Sequence, residues 1–505
     1  MSWNVLPARL TRKRPLVAAT VVGVGALLTT TVLAAQDFGQ FVQSQLAAHG
    51  QEQFGVNRPL ERSSPNQVTA AQATADPTTL FTLAGGLRAR VVSRGVAAPN
   101  IDQMALWPDD RNPTHLIACN EQGTGDPGLQ RIEIATGAAE TIVTGTTECD
   151  PVRKTPWGTI LFGEEAGGGA NGGALYELID PLHTTGVTLN RATGAFSGGT
   201  GAANLTARPA LGRLSFEGLA IYANGLVYYG DEQRPANGTP GGAYFKFVPT
   251  TPRSTSAPPI ASLSQSPLAA GKVYGLRVGK RASTPDFGQG TAYGFGQWID
   301  LGAGSNADLR ALAVTNKLTG YYRPEDIDID RVQEAQGRVY FCGNNTGNES
   351  EDQYYGEAIC MSDGTLATAT ANTAVPEVQP FVIGNPSLAM PDNIAYQPRT
   401  GNWVIHEDAD TGYKTPHNDD LWDCLPDGAD DDQLGDGCIR IATLNDLTAE
   451  WTGGIFDATG TRFFVSIQHN VTGKGIIVEI TGWGRGGDDH DRGDDGDDRG
   501  HGGGR

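Results

Sequence analysis

The chain has 505 residues, with 37 Lys+Arg against 57 Asp+Glu and a formal net charge of −20. Gly (68) and Pro (29) are abundant and charged residues make up only 19%, so turn formers outweigh the residues that build helical bundles or coiled coils. The acid excess argues against a nucleic-acid partner, whose phosphates need Lys and Arg, and suits a protein that binds cations.

The first 35 residues read as an export signal. Arg9, Arg12, Lys13 and Arg14 form a basic head, residues 16–28 a largely apolar run, and Val32-Leu33-Ala34-Ala35-Gln36 a cleavage site of small residues. No comparably long apolar stretch follows, so no stable membrane span is expected after cleavage. The basic residues include no Arg-Arg pair, which gives no support to a twin-arginine route. Cleavage removes four positive charges and leaves −24. The expected location is secreted, periplasmic or at the cell surface. Residues 36–85, rich in Gln, Ala and Thr, predict a loosely ordered lead-in with one short helix near residues 38–48.

Residues 86–482 carry short apolar runs between Gly, Asp, Asn and Pro turns, as at 225–229, 243–248, 338–341, 403–405, 462–467 and 475–479. These runs are β-branched and aromatic and predict strands. No alternation of strand and helix appears, which excludes a doubly wound parallel sheet. No repeat is exact, but a grammar recurs: an apolar run ends on acidic residues, at Glu164-Glu165, Asp231-Glu232 and Glu407-Asp408. Many short strands with degenerate repeats predict an all-β fold, a β-propeller, whose inner strands line one central channel. Acidic strand ends far apart in sequence then converge there. Such a cluster repels itself unless cations sit within it, and calcium suits an oxygen-rich site. Residues 483–505, with seven aspartates and four arginines and nothing apolar from residue 485 onward, predict a disordered tail.

Of the six cysteines, Cys342 with Cys360 and Cys424 with Cys438 each bracket a polar loop and predict local disulfides. For Cys119 and Cys149, pairing and free thiols both stand open. No CxxC occurs, which argues against a zinc ribbon or a thioredoxin-like site.

The ordered set Cys149-Asp150-Pro151, Pro156-Trp157-Gly158, Glu164-Glu165, Phe216-Glu217-Gly218, Tyr229-Gly230-Asp231-Glu232, Arg323-Pro324-Glu325-Asp326, Pro391-Asp392-Asn393-Ile394-Ala395 and Ser466-Ile467-Gln468-His469 resembles the PhoX-type alkaline phosphatases. The resemblance implies an exported propeller phosphomonoesterase, with iron and several calcium ions in its channel around a bridging oxygen species. It also implies that a metal-bound oxygen would attack the phosphate ester in line. By position it implies Cys149 as an iron-ligating thiolate and Glu217 as the main carboxylate of the iron pair, while Glu164, Glu165, Asp231, Glu232, Glu325, Glu407 and Asp408 supply further metal ligands. Whether Glu407 or Asp408 reaches the metal is open. Where the family has Asp-Asp, this chain has Asp231-Glu232. Arg323 is the candidate clamp on phosphate, since a guanidinium can hold two phosphate oxygens at once; bracing of the turn by Glu325 or Asp326 is the competing reading. His469 is a candidate donor behind the site. The catalytic set is thus Arg323, Glu217 and Cys149, the substrate a small phosphate ester, and the working unit a monomer. Two other readings carry different tests: a calcium-stabilised propeller that binds a ligand without turning it over, and a lactonase-type propeller hydrolase with one calcium.

Overall fold

The apolar runs fold as strands because their β-branched and aromatic side chains fill both faces of pleated sheets that are themselves sandwiched. The computed structural model describes residues 40–234, 241–279, 293–302, 304–347, 355–408, 416–428 and 434–484. The expected export signal and most of the acidic tail lie outside these residues. Among them no helix is long and apolar enough to cross a membrane.

The expected β-propeller is present. Six inner strands, Ile101–Trp107, Cys149–Lys154, Phe216–Ile221, Pro324–Ile329, Pro391–Tyr396 and Glu450–Phe456, neighbour one another in succession, and the last returns to the first. Each is the innermost strand of an antiparallel blade running outward in chain order, such as Cys149–Lys154, Ile160–Glu164 and Leu175–Leu178. The blade of the sixth inner strand closes the ring: Arg88–Ala97, near the start of the fold, pairs antiparallel with Gly475–Thr481 near its end.

The core lies between blades. Alternate side chains of one strand face opposite neighbours, as the two-residue period requires. Met104 and Leu106 pack with Phe464 and Ile477 of the sixth blade, whereas Ala105 packs with Val152 and Ile160 of the second. This two-sided burial is why the strands read as continuous apolar runs.

Three expectations need correction. The stretch before residue 86 is part of the fold: Phe54, Val56, Leu80 and Phe81 are buried in the core of the fifth and sixth blades, and Phe81–Leu83 pairs with Cys438–Leu444. Its polar composition hid a few well-spaced apolar anchors. Trp483 likewise packs on Phe456 and Phe463, so the fold runs past residue 482. The runs that end at Glu164, Asp231 and Glu407 are second strands of their blades; the inner strands are the motif-bearing segments themselves.

Candidate metal and phosphate site

Every inner strand carries a register shift near its start: between Ile101 and Met104, Cys149 and Val152, Phe216 and Leu219, Pro324 and Ile327, Pro391 and Ile394, and Thr452 and Ile455. A bulge adds a residue, breaks the alternation and re-aims a side chain. In the first five strands an acid stands inside this irregularity: Asp102, Asp150, Glu217, Glu325 and Asp392. The centre is tight. A Cβ on Gly218, beside Glu217, would lie 2.0 Å from the Ile327 amide nitrogen of the next inner strand.

The second strands add another set of groups. The residue after the last paired position is Glu121, Glu165, Glu232 and Asp408 in four blades, Thr346 in the fourth and His469 in the sixth. Carboxylates from both sets gather. Asp102, Glu217 and Asp392 have oxygens within 4.8 Å of one another, as do Asp102, Glu121 and Asp150, and Asp150, Glu165 and Glu217. Burial first, then mutual repulsion, pushes Asp102, Asp150, Glu165, Glu217, Glu325 and Asp392 well above the usual carboxylate range. Burial likewise raises Glu121 to about 7, although Gln468 donates to it. Among the described residues, neither oxygen of Asp150, nor Oδ1 of Asp102, has a hydrogen-bond partner.

Beside this cluster stands Arg323, its backbone in the left-handed region at φ 49°. Its Nε donates to Glu232 and lies 3.1 Å from Glu325. Burial opposes its charge, but Glu325 and Glu232 overcome that and keep the guanidinium protonated. Among the described residues its Nη1 has no hydrogen-bond partner. The carboxylates thus brace Arg323, as the competing reading expects. A cavity of about 340 Å³ opens here, lined by Arg323 and Arg234 with Asp408, Glu450 and His469.

The acidic pairs divide. Glu165, Glu232 and Asp408 stand among the central carboxylates or beside them, as their mutual effects on charge show. Their neighbours do not join them. Glu164 takes hydrogen bonds from Arg191, Tyr176 and the Thr147 amide. Asp231 accepts two from Arg310. Glu407 accepts from the amides of Ala389 and Asp420 and from Trp422, and forms a separate group with His417 and Asp420.

Cys149 requires a further correction. It is bonded to Cys119, with their Cα atoms 5.0 Å apart, and a sulfur in a disulfide has no thiolate to give a metal. Cys342–Cys360 and Cys424–Cys438 are bonded as expected, each pair directly opposite in an antiparallel ladder. Sequence reasoning also missed Asp102, Glu121, Asp150, Asp392 and Glu450 as site residues. Asp150 and Asp392 lie within the quoted motifs, and Glu121 follows an apolar strand as the grammar predicts. Asp102 opens a strand, where that grammar does not look.

No curated protein matches the chain in sequence. Among solved structures it is similar to the apo soluble aldose sugar dehydrogenase of Escherichia coli (11% identity, 78% of this chain and 99% of the other, TM-score 0.37). It is also similar to a glucose dehydrogenase (10%, 78% and 98%, 0.40) and to the α-L-arabinanase of Penicillium chrysogenum complexed with arabinobiose (8%, 78% and 99%, 0.39). None of these likenesses bears on what this chain does. The profile of the family described as alkaline phosphatase PhoX matches residues 34–470, and with the ring of carboxylates and its arginine in place, the chain belongs to that family.

Proposed function

We propose that this protein is an exported, metal-dependent phosphomonoesterase that acts at the carboxylate ring. The observation that carries the reading is Arg323: a guanidinium kept charged by Glu232 and Glu325, with Nη1 unpartnered, lining a cavity beside a dense set of buried acids. A fork of N–H donors fits the planar geometry of phosphate oxygens. Residues 1–35 supply the export signal.

The donor set fits hard cations. Asp102, Glu121, Asp150, Glu165, Glu217 and Asp392 offer only oxygen, and the partnerless oxygens of Asp150 and Asp102 are unsatisfied without a cation. Calcium is the ion these residues would hold. Iron held by the Cys149 thiolate does not fit, because Cys149 is spent on Cys119; this favours an all-oxygen centre. When bound, cations there neutralise phosphate charge and lower the pKa of water. The chain's own part is to orient the ester through Arg323 and to fix the acids at the bulges.

The test is hydrolysis of p-nitrophenyl phosphate by chelator-treated protein before and after calcium, with metal content and free thiols measured on the same sample. Activity restored by calcium, with no titratable thiol, is expected. Equal activity in the chelated protein and in Glu217→Gln sinks the reading.

A further inference from the structure

The sixth blade carries an imidazole at the rim, where four blades carry an acid and the fourth blade Thr346. Where Glu121, Glu165, Glu232 and Asp408 follow the last paired residue of their second strands, this blade has His469, after the pair Glu450 and Gln468. The His469 backbone is in the left-handed region, φ 51°, a conformation that a side-chain-bearing residue rarely adopts. Its ring Nδ1 lies 2.8 Å from Glu450 Oε1; the His469 side chain is 51% exposed and that of Glu450 only 10%. A buried carboxylate thus anchors the ring through one nitrogen and leaves the rest of this half-exposed ring at the cavity. Both residues line the cavity that also holds Arg323.

We propose that His469 is the general acid of the reaction, protonating the leaving oxygen of phosphate esters of aliphatic alcohols. The inference rests on the phosphomonoesterase reading and specifies its substrate class. The phosphorus–oxygen bond to the alcohol breaks and its electron pair stays on the ester oxygen. The Nε2 proton of the imidazolium moves to that oxygen, releasing the neutral alcohol. A water oxygen forms the new bond to phosphorus, its proton passes to solvent, and solvent reprotonates the ring. Glu450 positions the imidazole. An alkoxide is a poor leaving group without a proton, whereas p-nitrophenolate departs without one, so the two ester types separate this step from the rest of the site.

The experiment compares kcat/KM of the metal-loaded wild type and His469→Gly on ethyl phosphate and p-nitrophenyl phosphate. Glycine enters the left-handed region without steric cost, so the turn is kept; thermal unfolding by circular dichroism verifies the fold. The expected loss is about 10²-fold on ethyl phosphate, in the range of general acid catalysis, with a much smaller loss on p-nitrophenyl phosphate and recovery of ethyl phosphate turnover by added imidazole. Equal losses on both esters, with no recovery by imidazole, overturn the role of His469 while leaving the phosphatase reading intact. A wild type inactive on both esters overturns that reading and this one with it.

Discussion

Arg323 holds its charge through its neighbours, and its geometry decides what that charge can do. Lysine at this position keeps the charge and loses the fork. Arg323→Lys is expected to lower kcat/KM for p-nitrophenyl phosphate by about 10²-fold, the size of one lost charge-assisted hydrogen bond; steady-state kinetics checks this. Elsewhere a single acid sets a pH dependence. Glu357, buried and bonded to Tyr293 and Asn345, has its pKa raised from 4.5 to about 8, by burial above all. Between those values the folded chain keeps a proton that the unfolded chain has lost. Its contribution is therefore full below pH 4.5 and fades as pH rises through 8. Glu357→Gln should flatten that decline, by at most about 1.4 kcal/mol per pH unit, in urea unfolding followed from pH 5 to 9. At this scale the sequence showed where acids cluster but not which member of a pair faces the channel. Glu164-Glu165, Asp231-Glu232 and Glu407-Asp408 look alike on paper. In each the first residue is the last to be paired in its ladder and finds local donors, while the second passes beyond the ladder towards the channel.

The inner strands explain why the elements nearest the site were the hardest to read. They begin with Cys149-Asp150-Pro151, Phe216-Glu217-Gly218 or Pro324-Glu325-Asp326, where proline, glycine and acid interrupt the alternation that marks a strand. The bulge that breaks the pattern is the device that turns a carboxylate inward. The middle strands, such as Arg462–Gln468 and Gly475–Thr481, have no such duty and were plain in the sequence. The Cys119–Cys149 bond joins the second strand of one blade to the inner strand of the next across a separation of 30 residues. Replacing both cysteines by serine is expected to remove about 3.5 kcal/mol of stability by the loop-entropy relation. Guanidinium titration of the double variant against wild type measures it.

For the whole molecule, part of the charge of −20 is the carboxylate ring, and cations held there would offset it. Without cations that ring's self-repulsion would oppose folding. Calcium at a thousandfold excess over its dissociation constant should add about 4 kcal/mol. Asp392→Asn should raise the melting temperature of chelated protein and shrink the increment from calcium, both read by scanning calorimetry. Propeller architecture was legible from many short strands with recurring acids. The role of residues 44–85 was not, since only scattered apolar side chains such as Phe54, Val56 and Leu80 tie them to the core. The pairing of Arg88–Ala97 with Gly475–Thr481 has a consequence for how the molecule is born. One of the first strands to emerge must wait for one of the last, nearly four hundred residues later, before the ring can shut. Such distant pairing makes folding slow. It also leaves the ring unclosed until synthesis has passed the last strand. Since Glu450 and His469 of the sixth blade line the cavity beside Arg323, that cavity is complete only once the final blade is in place.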